Sequence, residues 1–154
     1  MTVDVRVAAG AADREAALAV RREVFVEEQG VPEDLEMDGR DDDAVHFLAV
    51  DDSGTDGAAP VGGDPVGAAR FREVDPGVGK VERVAVVADR RGEGIGRELM
   101  ATLEATAAER GVERLVMHAQ TDVEAFYARL GYETTSGVFE EAGIDHVEME
   151  KSLR

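Results

Sequence analysis

A glycine-rich turn between an apolar strand and a long amphipathic helix limits the fold of this chain more than any other feature. The segment 81–87 is nearly continuous in apolar residues, which is typical of a central strand covered on both faces. The segment 93–110 is predicted as a helix because apolar residues recur every four positions, at Ile95, Leu99, Leu103 and Ala107. The turn between them reads Asp89-Arg90-Arg91-Gly92-Glu93-Gly94-Ile95-Gly96. This order of elements predicts an α/β domain in which the turn opens the helix.

The turn has the chemistry of a phosphate site. A helix N-terminus presents unpaired backbone N–H groups and the positive end of the helix dipole. Glycines let the backbone approach an anion closely, and arginines add charge-assisted hydrogen bonds. A Walker loop is excluded because Gly-Lys-Ser/Thr is replaced by Gly96-Arg97-Glu98, and the G-x-G-x-G spacing departs from the dinucleotide pattern. From these residues alone, a tight strand-to-helix turn without a ligand is an open alternative.

The rest of the chain supplies the other elements of one domain, predicted to span 1–154. Apolar patterns predict strands at 3–7, 45–50, 65–74, 114–119, 132–135 and 146–150. A helix is predicted from an N-cap at Asp13 to about Glu28, and a shorter one over 122–130. Residues 51–64, rich in Gly, Ala, Asp and Pro, predict a hairpin loop.

Two groups of charged residues raise the question of partners. Arg21 falls on the inward stripe of the first helix with Leu18 and Phe25, so we expect a partner for it, since an unpaired buried charge is costly. The acidic segment 33–43 is interpreted as a solvated loop. The alternative is that its carboxylates attract a cationic amine, the candidates being Asp34, Glu36, Asp38, Asp41, Asp42 and Asp43.

Composition excludes several classes of protein. The chain has 154 residues, a net charge of −17 and no cysteine. The charge argues against non-specific nucleic-acid binding, and the missing cysteine excludes disulfides, thiolate nucleophiles and cysteine-bound metals. No apolar run reaches the ~20 residues that span a bilayer and no signal peptide is visible, so we expect a cytoplasmic protein without membrane or nucleic-acid partners. The acidity with only two lysines favours a salt-rich source, with a GC-rich genome as the alternative.

The motifs of the chain resemble those of GNAT acetyltransferases. Arg91-Gly92-Glu93-Gly94-Ile95-Gly96 is similar to the family's R/Q-x-x-G-x-G/A pyrophosphate motif, and Phe126-Tyr127-Ala128-Arg129-Leu130-Gly131-Tyr132 is similar to its F-Y-x-x-x-G-F/Y motif. The segments 21–32, 80–84 and 139–149 resemble the ElaA/YjcF-like branch. Ala88 and Asp145 depart from the prolines common at these places. The resemblance implies a mixed sheet of six or seven strands, splayed between the fourth and fifth, with helices on both faces.

The resemblance also implies acetyl-CoA as cosubstrate and assigns residues to it. Val84 and Val86 would offer backbone groups to the pantetheine arm, and Gln120 would contact the same arm. The pyrophosphate would be held by Arg91 and Arg97 and by the amides of Gly92, Gly94, Ile95 and Gly96. No metal is implied, and the spacing of His46, His118 and His146 matches no local ligand motif.

The implied chemistry is direct attack of a neutral amine on the thioester carbonyl. The Val86 amide is a candidate donor to the developing oxyanion, and Tyr127 matches the family tyrosine that protonates the thiolate. Glu82 is the candidate base, placed by strand alternation on the same face as Val84 and Val86. Glu28 and His118 are the alternative bases. A salt-bridged Glu82 and a purely structural Tyr127 are the competing interpretations.

The acceptor is predicted as a primary amine of a small molecule or peptide. Candidate acceptor-binding residues are Arg21, Glu28, Gln29, His46 and His146, although strand histidines more often have structural roles. A non-catalytic acyl-CoA sensor or interaction module is the main alternative function, and a module for another nucleotide is a third. Many family members dimerise, so a homodimer stays open, although no interface motif is legible.

Overall fold

The computed structural model describes residues 3–52 and 61–153 and shows one mixed sheet of eight strands. The strands are β1 Val3–Val7, β2 Val45–Asp51, β3 Asp64–Asp75, β4 Val78–Val86, β5 Arg114–Gln120, β6 Glu133–Thr134, β7 Phe139–Glu141 and β8 Ile144–Ser152. Their order across the sheet is β1-β2-β3-β4-β5-β8-β6, and β7 pairs with β8. The predicted fold class is confirmed, and the strand count exceeds six or seven because β6 and β7 are short additions of two and three residues.

Helices cover both faces of this sheet. They are α1 Ala11–Arg21, a π-helix Arg22–Glu28 that continues it, α2 Glu33–Glu36, α3 Ile95–Glu109 and α4 Glu124–Arg129. Short 3-10 turns lie at Asp41–Asp43, Ala88–Arg90 and Thr121–Val123. No helix within the ranges 3–52 and 61–153 is long and apolar enough to cross a membrane.

Among the described strands, β4 and β5 form the one parallel pair, and they separate halfway along. Their paired register ends where Val81 lies opposite Met117. A bulge follows at once in β4, where Arg83 and Val84 together lie opposite Ala69 of β3, and Arg83 has a φ of 58°. Beyond this point the two strands diverge around an open slot, as the predicted splay requires.

The bulge changes the face that each residue of β4 occupies. Glu82 pairs with Arg70 of β3. Arg70 lies two residues from Ala68 and therefore on the same face, which is the face of the core beneath α1. Val84 and Val86 pack instead against the core beneath α3. The prediction that Glu82 shares a face with Val84 and Val86 is therefore wrong, because simple alternation fails where a strand gains one residue.

Two apolar cores hold the helices on the sheet. The larger lies beneath α3 and contains the predicted stripe, whose residues are all buried: Ile95, Leu99, Leu103 and Ala107. The smaller lies beneath α1 and contains Ala17, Val20, Val24, Leu48, Val50, Ala68 and Ala85. Burial of the α3 stripe fixes the start of that helix beside the slot.

The first helix starts and ends differently from its prediction. It begins at Ala11 after the N-cap Gly10, whereas Asp13 lies inside the first turn and accepts a hydrogen bond from Arg6 Nε at 2.9 Å. From Arg22 to Glu28 the helix is π-helical. This form is rare in proteins, and where it occurs it is often found at a functional site. Of the predicted inward stripe, Ala17, Val20 and Val24 are buried, and the apolar residues Leu18 and Phe25 are half-buried.

The remaining loops and the C-terminal region also differ in detail from expectation. Residues 53–60 of the predicted 51–64 hairpin loop lie outside the described residues. The strand β7 was not predicted, because its three residues, two of them glutamates, carry almost no apolar pattern. The strand predicted at 146–150 begins earlier, at Ile144, where it pairs with β7.

Candidate active site

A cavity of about 970 Å³ occupies the slot between β4 and β5. It is bounded by the start of α3, the π-helix, the bulged half of β4, the end of β5 and the β7–β8 hairpin. The predicted site residues that line it are Glu28, Gln29, Glu82, Val84, Val86, Arg91, Gly92, Gly94, Ile95, Gly96, Arg97, His118, Gln120, Tyr127 and His146. Arg21 and His46 do not line it, because both are buried beneath α1.

The turn before α3 leaves its backbone open toward the cavity. Gly92 and Gly94 have φ values of 80° and 90°, and a Cβ on either would meet no heavy atom within 4 Å. No described side chain caps α3, and its first turn closes with a bond from the N–H of Glu98 to the carbonyl of Gly94 at 3.1 Å. The amides of Ile95 and Gly96 precede that bond, so they are available to an anion.

Gly96 allows the start of α3 to pack tightly beside the slot. A Cβ at this position would lie 3.3 Å from Cζ of Phe126 and 3.8 Å from Cγ2 of Val86. A larger residue would therefore push α3 away from α4 and β4. The glycine spacing of the motif thus serves packing at Gly96 and backbone conformation at Gly92 and Gly94.

Val86 directs its backbone groups into the slot. The N–H of Val87 donates to the carbonyl of Val66 at 3.0 Å, and in an antiparallel pair neighbouring residues alternate in the direction of their N–H and C=O groups. Val86, which pairs with Gly67, therefore points both groups away from β3 and toward β5. Its carbonyl accepts a hydrogen bond from Nε of Arg91 at 2.9 Å.

Two bridges connect the end of the π-helix to opposite sides of the slot. Both Nη atoms of Arg91 donate to the carboxylate of Glu28, each at 2.6 Å. Nε2 of Gln120 donates to Oε1 of Gln29 at 2.9 Å. The hydrogen bonds from Arg91 lower the pKa of Glu28. By contrast, Arg97 forms no ion pair with any described residue, so its charge is available to a ligand.

Tyr127 is buried beside the cavity in an aromatic cluster. Its ring lies edge-on to Phe126 and Tyr132, with centroid distances of 4.9 and 5.9 Å. Burial raises the pKa of Tyr127, so the hydroxyl keeps its proton at neutral pH. The hydroxyl of Tyr132 donates to Glu104 at 2.8 Å and so points elsewhere. Tyr127 is therefore the tyrosine of this pair that the cavity reaches.

Glu82 is surrounded by cations. Its Oε1 accepts hydrogen bonds from Arg72 at 2.8 Å and from Arg70 at 3.0 Å, and Nζ of Lys80 lies 3.8 Å from its Oε2. Burial alone would raise its pKa, but the hydrogen bond from Arg72 and the charge of Arg70 outweigh burial, so the pKa of Glu82 is lowered. A carboxylate stabilised in this way is a weak proton acceptor.

The acidic segment was predicted as a solvated loop, and only part of it is solvated. Several of its carboxylates are exposed, whereas Glu36, Asp38 and Asp41 are tied to two buried arginines. Arg21 donates to Oε1 of Glu36 at 3.0 Å and to Oδ1 of Asp41 at 2.7 Å, which confirms the expected partner for Arg21. Arg70, fully buried, binds Asp41 at 2.7 Å and also Asp38. The segment therefore forms a fixed wall of the cavity. The sequence pattern did not predict that Arg70 belongs to this network, because Arg70 lies within an otherwise apolar stretch of β3.

His46 belongs to this buried network. Its Nε2 lies 2.8 Å from the carbonyl oxygen of Asp41, and its Nδ1 is buried without a partner among the described residues. Burial lowers the pKa of His46. His46 and Arg21 thus support the wall from behind and are not positioned to touch an acceptor.

The other two histidines lie together at the far end of the cavity. Nδ1 of His118 is 2.9 Å from Oε1 of Glu141, and Nε2 of His146 is 3.8 Å from Oε2 of the same residue. Phe139 lies between the two imidazoles, edge-on to His118 and stacked on His146. Glu141 and Phe139 were not among the predicted site residues. Within the described ranges, no group of three or more potential ligands is arranged to hold a metal ion.

Comparison with known proteins gives consistent matches over nearly the whole chain. Residues 12–153 match the family model described as acetyltransferase (GNAT) domain. The Bacillus subtilis (strain 168) protein called uncharacterized N-acetyltransferase YjcF is 39% identical over 136 residues, which cover 88% of this chain and 89% of that protein.

Solved structures are similar over the same length. The crystal structure of Escherichia coli ElaA superposes with a TM-score of 0.81 at 25% identity, covering 97% of this chain and 99% of that one. An acyl-CoA N-acyltransferase from Pseudomonas aeruginosa gives a TM-score of 0.78 at 28% identity, with coverage of 97% and 99%.

Proposed function

Because this chain belongs to the GNAT family and is an N-acetyltransferase, we propose that it transfers the acetyl group of acetyl-CoA to a primary amine of a small molecule or peptide. The observation that carries the proposal is the uncapped start of α3, which opens onto the same cavity as Tyr127 and the free edge of Val86. One end of this cavity suits a diphosphate, and the other end has the groups that acyl transfer requires.

The residues of the turn fit the diphosphate of coenzyme A. The amides of Gly92, Gly94, Ile95 and Gly96, with Arg91 and Arg97, would hold it. Open space at Gly92 and Gly94 supports this assignment, as does Arg97, which has no ion-pair partner within 3–52 and 61–153. In binding phosphate, Arg91 would share or exchange its partner Glu28, so the affinity of the site includes the cost of weakening that bridge.

The slot fits the extended arm that connects the diphosphate to the thioester. An N–H and a C=O that face an open strand edge bind an extended chain as another strand would. Val86 offers its N–H, and its carbonyl, which already accepts a bond from Arg91, has a second lone pair for a ligand. Val84 lies on the same side of the sheet, and Gln120 faces the slot from β5. These contacts would bring the thioester carbonyl alongside the Val86 amide.

In the proposed reaction, the acceptor amine attacks the thioester carbonyl directly in a ternary complex. The N–H of Val86 stabilises the negative charge that develops on the carbonyl oxygen. The C–S bond breaks as the new C–N bond is completed, and the hydroxyl of Tyr127 gives its proton to the leaving sulfur. Because burial raises the pKa of Tyr127, its hydroxyl carries at neutral pH the proton that this step requires.

The acceptor lies, in this proposal, between the π-helix and the β7–β8 hairpin. Glu28, Gln29 and His146 line this part of the cavity and carry polar atoms able to bind an amine. Val24, Phe25 and Ile144 give it apolar walls. Glu82 stays a candidate base, although its lowered pKa disfavours the role. We further propose a cytoplasmic setting without nucleic-acid or membrane partners. Analytical ultracentrifugation distinguishes a monomer from the homodimer that the resemblance allows.

The experiment that tests the proposal measures acetyl transfer from acetyl-CoA to a panel of amines, with the release of free thiol as the readout. The panel should contain small alkylamines, polyamines, amino acids and peptides with a free α-amine. Turnover with at least one amine supports the proposal. Tight CoA binding in calorimetry without turnover on any amine would favour the acyl-CoA sensor instead, and tighter binding of ATP or NAD than of CoA would contradict the assigned cosubstrate.

A further inference from the structure

The β7–β8 hairpin presents one of its faces to the cavity. Its turn consists of Ala142 and Gly143, both with positive φ values, of 52° and 76°. Two such residues define a tight hairpin turn whose twist matches that of the strands, and a positive φ costs energy for alanine. The turn sets the register of the hairpin, which places four side chains on one face: Phe139, Glu141, Ile144 and His146.

Glu141 on this face determines the state of His118 on β5. A carboxylate only accepts hydrogen bonds, so the 2.9 Å contact requires that Nδ1 of His118 carries the proton. Nε2 of the neutral ring is then left with its lone pair. The edge of the ring rests against Phe139 at 5.0 Å, which restricts its rotation. His118 is thus held in the tautomer that accepts a proton at Nε2.

Two carboxylates face the ring nitrogens of His118. Glu141 faces its Nδ1, and Oε2 of Glu148 on β8 lies 3.8 Å from its Nε2. His146 faces Glu141 from the same hairpin, but its Nδ1 donates to the carbonyl of Ile144 at 2.7 Å, so its protonated nitrogen points away. Two carboxylates and no described cation are therefore in contact with the imidazole of His118.

The other two candidate bases, Glu82 and Glu28, are paired with cations. Glu82 accepts hydrogen bonds from two arginines and Glu28 from one, and each has a lowered pKa. His118 is 28% exposed in its side chain and lines the same cavity as Tyr127. Oε2 of Glu82 accepts no hydrogen bond from the described residues, but Nζ of Lys80 lies 3.8 Å from it and the pKa of Glu82 is lowered. Of the three, His118 is therefore the one that combines access to the cavity with a proton-accepting atom that has no cation beside it among the described residues.

We propose that His118 is the general base of the reaction and that Glu141 is the positioning residue that fixes its tautomer. This rests on the proposed acetyl transfer. Nε2 of His118 takes the proton that an ammonium must lose before its nitrogen can attack. The C–N bond forms and the C–S bond breaks, Tyr127 protonates the sulfur, and the surplus proton of the new amide nitrogen restores Tyr127. His118 then releases its proton to solvent, so one ammonium and one thioester yield amide, thiol and one proton.

The test compares two nucleophiles that differ in their need for a base. n-Butylamine is almost wholly protonated at neutral pH, whereas hydroxylamine is largely neutral. In His118→Gln we expect turnover with n-butylamine to fall about 100-fold, the lower part of the range for general-base removal, and turnover with hydroxylamine to change little. Glu141→Gln should lower turnover with n-butylamine by a smaller factor and leave turnover with hydroxylamine nearly unchanged. The KM for acetyl-CoA should not change.

The matched control is Glu140→Gln, since Glu140 lies on the same strand, is exposed and faces away from the cavity. It should retain wild-type turnover with both nucleophiles. An equal loss with n-butylamine and hydroxylamine in His118→Gln would show a structural role and overturn the proposal, as would no loss at all. If the wild-type protein acetylates neither nucleophile nor any amine of the panel, the proposed function itself fails, and the base assignment fails with it.

Discussion

Glu28 and Arg91 are joined by two parallel hydrogen bonds of 2.6 Å across the entrance of the slot. One partner ends the π-helix and the other belongs to the glycine-rich turn. The arginine that is predicted to bind diphosphate is therefore already paired with a carboxylate. This relationship makes the strength of CoA binding depend on a residue outside the turn.

Replacement of Glu28 should strengthen CoA binding. In Glu28→Gln, Arg91 gives up no charged partner when it binds phosphate, and one negative charge is removed from near the diphosphate. We therefore expect the affinity for CoA to increase about 3- to 10-fold, the scale of one competing charged hydrogen bond. Isothermal titration calorimetry with CoA measures this. Glu27→Gln is the matched control, because Glu27 is the exposed neighbour without that bridge. Weaker binding in Glu28→Gln would mean that Glu28 orients Arg91 for the phosphate.

Charge introduced at Gly94 should block the same site. Gly94→Asp and Gly94→Asn impose a similar backbone cost at a φ of 90°, since both side chains tolerate positive φ better than most. The aspartate adds repulsion next to the helix amides, so we expect at least about 10-fold weaker CoA binding in Gly94→Asp than in Gly94→Asn. Equal affinities in calorimetry would indicate that the diphosphate binds elsewhere.

Removal of the Tyr127 hydroxyl should affect catalysis more than binding. We expect Tyr127→Phe to lower kcat about 10- to 100-fold while the Kd for CoA changes little, since general acids contribute on this scale or more. Tyr132→Phe is the comparison, because it loses a hydrogen bond to Glu104 and should reduce stability without lowering kcat. Because burial raises the pKa of Tyr127, the wild-type rate should not decline from ionisation of this residue up to mildly alkaline pH.

The buried arginine of β3 should be essential to stability. Arg70→Met leaves the carboxylates of Asp38, Asp41 and Glu82 without their shared cation, and breaking a buried pair in this way costs about 3–5 kcal/mol of unfolding free energy. Arg114→Met removes an exposed pair with Glu150 and should cost less than about 1 kcal/mol. Urea unfolding of both variants measures the contrast, and similar losses would mean that the network stabilises little.

Acid should weaken the fold through the same carboxylates. Burial opposes ionisation of Asp38, Asp41 and Glu82, but their arginine partners outweigh it, so each has a pKa below its ordinary value. In the unfolded chain these groups titrate near pH 4, where they bind more protons than in the folded chain. Their contribution is therefore complete above about pH 5 and is lost as pH falls further. Unfolding in urea at pH 7, 5, 4 and 3 should show this decline, and a flatter decline in Arg70→Met.

Elements with a regular pattern could be predicted from the sequence. The four-residue spacing of α3 gave its buried stripe, and the glycine-rich turn gave the start of that helix to within two residues. The need for a partner at Arg21 followed from its position on a buried face, although the sequence did not say which carboxylate it would be.

Features that depend on one added residue or on distant pairing could not be predicted. The bulge at Arg83 reverses the alternation of β4, and the placement of Glu82 was wrong for that reason. The π-helix leaves no clear mark on the apolar pattern of 22–28. Glu141 reaches His118 only because β7 folds back on β8, a contact between residues 23 positions apart.

The bulge divides the central strand into two regions with separate neighbours. Glu82, before the bulge, belongs with the arginines and the acidic wall that shape the amine's end of the slot; Val84 and Val86, after it, belong with α3 and the diphosphate's end. Changes in the first region can therefore alter the choice of acceptor while the handling of the acyl donor is preserved. New acceptor preferences can arise on this scaffold without rebuilding the machinery that delivers the acetyl group.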